Sequence, residues 1–303
     1  MTRLAGRAGI VTGGGKGLGR AFALGLAAAG AHVVVNNRDR TGEGAAQRVV
    51  DEILAAGGSA VAETGDVADP DAAQSMLDTA LNTFGRLDFL VTSAAVADPA
   101  MFHKSTPERF DAVIAANLGG SAHIAMLCSK HMREAGFGRI VFVSSTAGLH
   151  GEPTASAYSA SKGALIALGR AIAVEGERRN VLTNIVLPYA TTQMTAAGMP
   201  SDLQGSLPPE AVGPLVTALV DPESTVNGQV LVSAGGGLRV ASAVEWGTVA
   251  LPSGPVTPGE LTDLIARSRE AGPREFPEAQ AAFQNFAAEL PRNSVGKVPR
   301  DRF

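Results

Sequence analysis

The sequence predicts an α/β fold built on a doubly wound, mainly parallel sheet, with a mainly helical appendage at its C-terminal end. Three observations carry this. Short β-branched runs alternate with longer amphipathic stretches through the first two-thirds of the 303 residues, which is the pattern of strands joined by crossover helices. The run Ala31 to Asn36 is apolar on both faces, as a strand covered by helices on both sides must be. A glycine-rich turn, Gly13 to Gly19, separates the first strand from the first helix.

Taken in order, strands are expected at 8–12, 31–36, 59–64, 87–92, 139–144, 181–187 and 229–232. The first helix runs through Phe22, Leu24 and Leu26, and further helices are expected near 42–57, 69–84, 107–135, 155–178 and 209–220. After Gly235-Gly236-Gly237 the pattern changes. Residues 238–303 are richer in proline and show no strong strand. Thr257, Pro258 and Glu260 have the spacing of a capped helix start, and a second short helix follows Pro277. The last dozen residues read as a draped or poorly ordered tail. The chain thus divides into a main domain, 1–237, and an appendage, 238–303, too short to stand as an independent domain.

Hydrophobic residues make up 45% of the chain and charged residues 18%, so it reads as globular. A formal net charge of -4 gives no electrostatic case for nucleic acid or an anionic membrane as partner. A single cysteine, Cys128, excludes an internal disulfide and fits a reducing compartment. No stretch approaches the roughly 18 apolar residues of a membrane span, and the N-terminus lacks the pattern of a signal peptide. A cytoplasmic protein is therefore expected. No His/Cys/Asp group has metal-ligand spacing, so no metal is expected.

Chemistry concentrates at a few positions. In Thr12-Gly13-Gly14-Gly15-Lys16-Gly17-Leu18-Gly19-Arg20 the glycines let backbone approach a pyrophosphate, and the helix that follows points its first N–H groups at it. Any tight turn tolerates glycine, so the strand–loop–helix context gives the loop its meaning. In Tyr158-Ser159-Ala160-Ser161-Lys162 the phenol and the ammonium share a helix face. A lysine cation beside a phenol favours the phenolate and lowers its pKa. An exposed Tyr–Lys pair is common, and alone it would mean little. Ser145, at the end of the strand Ile140 to Ser144, changes that, because ligands bind at the carboxyl ends of parallel strands and a hydroxyl there meets a substrate carbonyl.

These motifs, in this order, resemble the short-chain dehydrogenase/reductase family across residues 5–237. The resemblance implies a Rossmann-like dinucleotide-binding catalytic domain and a hydride exchanged between nicotinamide and a secondary alcohol or ketone. It assigns Tyr158 as general acid/base and Ser145 as carbonyl orienter. Lys162 would tune Tyr158 and bind the nicotinamide ribose. Asn117 would bend its helix and hold a water in the proton relay. By the same transfer, cofactor contacts fall on Gly13, Lys16, Gly17, Leu18, Gly19, Asn37, Arg38, Asp66, Val67, Ser93, Ala94, Pro188 and Thr192. The chain departs from the family in Thr92-Ser93-Ala94-Ala95 after the fourth strand and in Tyr189 after Pro188, which puts the backbone contacts to cofactor in question and makes Tyr189 a candidate wall of the substrate site. A non-catalytic dinucleotide-binding regulator is the reading from another class, and the intact Tyr158, Lys162 and Ser145 argue against it.

The residue ending the second strand separates NAD from NADP, since a carboxylate there bonds the ribose diol and repels a 2′-phosphate. Asn37 and Arg38 take that place, and Lys16 lies in the glycine loop. Two cations and no carboxylate favour NADP, while Asn37 can still bond a free ribose, so NAD stays open. The stretch from Pro188 to Pro209 is shorter than the family's usual lid. Val212-Gly213-Pro214-Leu215-Val216, Asn227-Gly228, Trp246 and Thr257-Pro258 resemble the 3-hydroxyacyl-CoA dehydrogenase unit of multifunctional enzymes. That implies a 3-hydroxyacyl or 3-ketoacyl thioester as substrate, with a generic alcohol, sugar or steroid as the alternative. Lys104, Arg109 and Arg239 are candidates for a CoA phosphate, against the plainer reading of solvated charges. His150 reads as an ordinary loop histidine, Cys128 as core and Trp246 as an anchor of the appendage. Trp246, Val249 and Leu251 form an apolar cluster that needs a cover, and with the resemblance this favours a homodimer.

Overall fold

The computed structural model describes residues 3–39, 42, 44–195 and 205–290. Two compact units result, Met1–Ala241 and Ser242–Phe303. In the first, β1 (Ala8–Thr12), β2 (His32–Asn36), β3 (Ser59–Glu63), β4 (Phe89–Thr92), β5 (Gly138–Val143), β6 (Val181–Pro188), β7 (Val230–Ala234) and β8 (Gly237–Ala241) form one sheet. Its order is β3-β2-β1-β4-β5-β6-β7-β8. Every pair is parallel except β7 with β8.

The helices between them are α1 (Gly17–Ala28), α2 (Ala45–Ala55), α3 (Pro70–Phe84), α4 (Pro107–Ile114), α5 (Gly120–Ala135), α6 (Ala147–His150), α7 (Ser156–Gly176) and α8 (Gly213–Val220). Side chains alternate across each strand, so the sheet is covered twice. Val33 and Val35 enter one apolar cluster with Phe22, Leu26 and Val216. Val34 enters the opposite one with Met76, Ile124, Cys128 and Leu165. This double burial is why the strands read as continuous apolar runs.

Two features depart from the sequence reading. The residues after Gly235-Gly236 form β8, which pairs antiparallel with β7 along its whole length. Gly235 and Gly236 both take positive φ, 48° and 89°, and a tight reversal of that kind needs no further turn signal. The strand is short and exposed on four of its five residues, so it lacks the apolar alternation that marks a strand in sequence. The helix expected over 107–135 is broken by a single wide turn, Ala115–Gly119, with i to i+5 bonding. By length and composition alone the run Pro107–Ala135 is apolar enough to cross a membrane, against the expectation that no stretch approaches a span. Within the fold, Ile124, Ala125, Cys128 and Met132 bury its apolar stripe in the core.

In the second unit, α9 (Pro258–Glu270) and α10 (Ala279–Glu289) follow an irregular segment. Thr257 and Glu260 form the expected reciprocal capping box. Backbone pairing of Glu245 with Arg274, at 2.9 and 2.8 Å, and Gly247 N–H to the Ser268 carbonyl at 3.0 Å join the segment to α9 and the turn after it. Arg274 bonds Glu289 on α10. Trp246 and Leu251 are exposed, at 41% and 73%. The tail expected over the last dozen residues lies outside the described residues, as do 196–204 of the stretch between Pro188 and Pro209.

Candidate active site

β1 lies between β2 and β4, whose connections leave the sheet toward opposite faces, and a crevice opens at the carboxyl ends of such strands. A cleft of about 1040 Å³ occupies this place. The glycine loop forms one side. Gly13 has φ 65°, and a Cβ there would lie 2.7 Å from the Ala94 backbone. A Cβ on Gly19 would lie 2.2 Å from the Gly13 carbonyl oxygen. Only glycine permits this coil. No side chain caps α1, and its first residues Gly17, Leu18 and Gly19 line the cleft. Bare backbone at a helix N-terminus suits a pyrophosphate, so the loop fits a dinucleotide.

The departing segment after β4 keeps its place. Ser93 and Ala94 donate their backbone N–H groups to the Thr12 hydroxyl at 3.2 and 3.3 Å, and both line the cleft. At the other edge stand Asn37, Arg38, Asp66 and Val67. The Arg38 guanidinium pairs with the Asp66 carboxylate at 3.3 Å, and Asp66 also accepts from Ala68 N–H at 3.1 Å. Lys16, Pro188 and Thr192 also line the cleft, with Thr192 beside Gly17.

Ser145, Tyr158 and Lys162 meet at the inner end of the cleft. The Ser145 hydroxyl accepts from Ala147 N–H at 3.1 Å and lies near enough to the Tyr158 phenol to lower its pKa. Burial pushes the phenol pKa up, and Ser145 draws it partly back. The expected lowering by Lys162 is therefore not the governing effect. The lysine ammonium instead donates to the Val143 carbonyl at 2.8 Å and sits 5.6 Å from the Tyr158 ring centre. Burial pushes its own pKa down to about 8.

Asn117 lies outside the cleft lining, in the wide turn between α4 and α5, with no exposed surface. Its amide oxygen accepts from Val96 N–H at 2.8 Å and its nitrogen donates to the Val96 carbonyl at 3.0 Å. Its side chain is thus engaged with the loop after β4. Two serines escaped the sequence reading. Ser144 donates to the Lys162 carbonyl at 2.7 Å, and Ser161 donates to the Tyr158 carbonyl at 2.7 Å. Both lie inside the motifs that were read, but nothing in a motif says which of several serines points inward. Next to Ala155, which lines the cleft, Thr154 takes φ 64°, rare for a β-branched residue. Its carbonyl accepts from Ala100 N–H at 2.7 Å.

Among the remaining candidates, His150 is exposed at the end of α6. Arg109 forms a two-pronged ion pair with Asp98. Lys104, Arg109, Arg239 and His150 do not line the cleft, whereas Tyr189 does.

Residues 7–202 match the family model for short chain dehydrogenases. The chain belongs to the short-chain dehydrogenase family. It is an oxidoreductase that binds NAD(P). It is 38% identical over 240 residues to peroxisomal multifunctional enzyme type 2 of Drosophila melanogaster, covering 77% of this chain and 40% of that one. It is 38% identical over 196 residues to a 3-oxoacyl-[acyl-carrier-protein] reductase of Synechocystis, covering 64% of this chain and 78% of the relative. The chain therefore spans well under half of the multifunctional relative. Among solved structures, a short chain dehydrogenase from Mycobacterium avium matches with TM-score 0.79 and 38% identity, over 90% of this chain and 98% of that one. A structure from Beutenbergia cavernae described as an NAD(P)-dependent gluconate 5-dehydrogenase, with NADP at low occupancy, matches with TM-score 0.70 and 35% identity, over 77% and 97%.

The buried Lys162 gives this family member a measurable signature. Its folded pKa of about 8 lies below the ordinary lysine value of 10.5, so the unfolded chain holds its proton to higher pH. The stability penalty is therefore full below pH 8 and fades as pH rises toward 10.5. Lys162→Met should raise the unfolding free energy by about 1–3 kcal/mol near pH 6, and the gain should shrink in urea titrations above pH 8.

Proposed function

We propose that this oxidoreductase interconverts a 3-hydroxyacyl and a 3-ketoacyl thioester with NADP(H), and that it works as a homodimer. The observation that carries the catalytic part is that Ser145, Tyr158 and the buried Lys162 line one cleft together. Bound in the cleft, the nicotinamide cofactor supplies or accepts the hydride. Tyr158 gives its phenolic proton to the nascent alkoxide in reduction and takes it back in oxidation. Ser145 donates to the same substrate oxygen and fixes its direction. Lys162, charged below pH 8, favours the phenolate once Tyr158 has released its proton and offers its remaining N–H donors to a ribose. Asn117 holds the Val96 wall in place.

Apolar walls suit an acyl chain: Val96, Ala97, Ala147, Met194 and Leu207 line the cleft, together with Tyr189 just after β6. The names of the multifunctional and 3-oxoacyl reductase relatives support the same substrate class. In turnover assays with acetoacetyl-CoA, Tyr158→Phe should lower kcat by about 10²–10⁴-fold while NADPH affinity stays nearly unchanged. A variant keeping more than half the turnover would overturn the acid/base role. No reduction of acetoacetyl-CoA by the intact protein would overturn the substrate.

For the cofactor, Arg38 is already held at the cleft edge by Asp66, and no carboxylate ends β2. A 2′-phosphate would meet Arg38 and Lys16. Replacing both with alanine should weaken NADPH by about 10-fold or more and NADH little. Fluorescence titration with both nucleotides tests it, and equal losses would refute the preference.

The dimer rests on the second unit, where Trp246, Leu251, Phe283 and Phe286 remain exposed. Apolar surface of this density is normally covered by another chain. Light scattering of the full chain should give twice the chain mass, and a monomer at assay concentration would refute it.

A further inference from the structure

Ser161 is fully buried between the two charged or ionisable members of the site, three residues after Tyr158 and one before Lys162. Its hydroxyl donates to the Tyr158 carbonyl at 2.7 Å and accepts from the Asn117 amide nitrogen at 3.1 Å. That amide uses its other N–H on the Val96 carbonyl at 3.0 Å, and its oxygen takes Val96 N–H at 2.8 Å. A side-chain amide has two donor hydrogens and a serine has one. All three are consumed, so each bond in the series has a fixed direction.

A serine that back-bonds to its own helix is ordinary. What is not ordinary is the second partner. The Asn117 bond ties the helix turn carrying Tyr158 to the wide turn at Ala115–Gly119, and through it to Val96 on the cleft wall. No water is needed to complete this connection, and a buried polar series in low dielectric is stiff when every member is satisfied. Catalysis by a phenol depends on its placement to within a fraction of an ångström of the substrate oxygen.

We propose that Ser161 is a positioning residue of the reaction: it fixes the turn of α7 that carries Tyr158 against the substrate wall at Val96, through Asn117. The proposal rests on Tyr158 being the acid/base group. It gives Ser161 no contact with substrate or cofactor. Without the hydroxyl, the Asn117 amide loses one acceptor and α7 loses its link to the wall. Tyr158 then keeps its place in the sequence of the helix but not its alignment with Ser145.

The chain has two tyrosines, Tyr158 and Tyr189, so in a Tyr189→Phe background tyrosinate absorbance reports Tyr158 alone, with or without substrate. The other titratable side chains that line the cleft are Lys16, Arg38, Asp66, Glu152, Lys162 and Tyr189, and they are the same in both arms of the comparison. Ser145 favours the phenolate, so loosening its approach in Ser161→Ala should raise the apparent phenol pKa by about 0.5 or more. In the native background, Ser161→Ala should lower kcat about 3–10-fold with NADPH affinity within about twofold of the parent. Ser161→Cys, nearly isosteric with a weaker donor, should fall between the two and serves if the alanine variant does not fold. An unmoved phenol titration together with unchanged kcat would overturn the proposal, as would a Cys variant equal to the parent in both. A Tyr158→Phe variant that keeps its turnover defeats the acid/base reading instead, and is a separate result.

Discussion

Everything at the site depends on a constraint of the parallel sheet. β1 must send its chain to one face and β4 to the other, because each crossover is right-handed and each face already holds helices. The two connections part at the carboxyl ends of neighbouring strands, and the gap between them cannot be closed by packing. The Gly13–Gly19 coil and the Ser93–Ala94 segment are the two lips of this gap, and they approach each other so closely that a single Cβ on Gly13 would strike Ala94. The Thr12 hydroxyl stitches them together. Cofactor binding is thus a property of the topology first and of side chains second.

The catalytic end uses the same scaffold differently. Three consecutive residues at the end of β5 have three tasks: Val143 offers a carbonyl to the Lys162 ammonium, Ser144 anchors the Lys162 backbone, and Ser145 meets the phenol. The strand brings all three to one edge, and α7 lies against it. A buried ammonium with one carbonyl partner is costly to stability, and the rest of the domain carries that cost. Such local disagreement between stability and arrangement is expected where a protein does chemistry.

Much of this was legible in the sequence, and the reasons are specific. The glycine loop, Ser145, Tyr158 and Lys162 could be read because their chemistry requires those residue types at fixed offsets. The strands could be read because burial on both faces leaves continuous apolar runs. β8 could not, because an exposed edge strand owes its existence to pairing with β7 rather than to its own composition. The wide turn at Ala115–Gly119 was foreshadowed only by the resemblance, which has Asn117 bend its helix, and its form is revealed by the backbone. The ranking of influences on Tyr158 was also beyond reach, since spacing gives neighbours on a helix face but not the depth at which they are buried.

Thr154 adds something of a different kind. A β-branched residue held at φ 64° carries local strain, and its carbonyl is the anchor to which Ala100 is tied. Strain raises the energy of the closed arrangement without touching that of an opened one. The loop that ends at Ala155, which lines the cleft, therefore opens at lower free energy than an unstrained loop with the same bonds would. Glycine at position 154 would therefore tighten the tie to Ala100, the reverse of what glycine usually does to a loop.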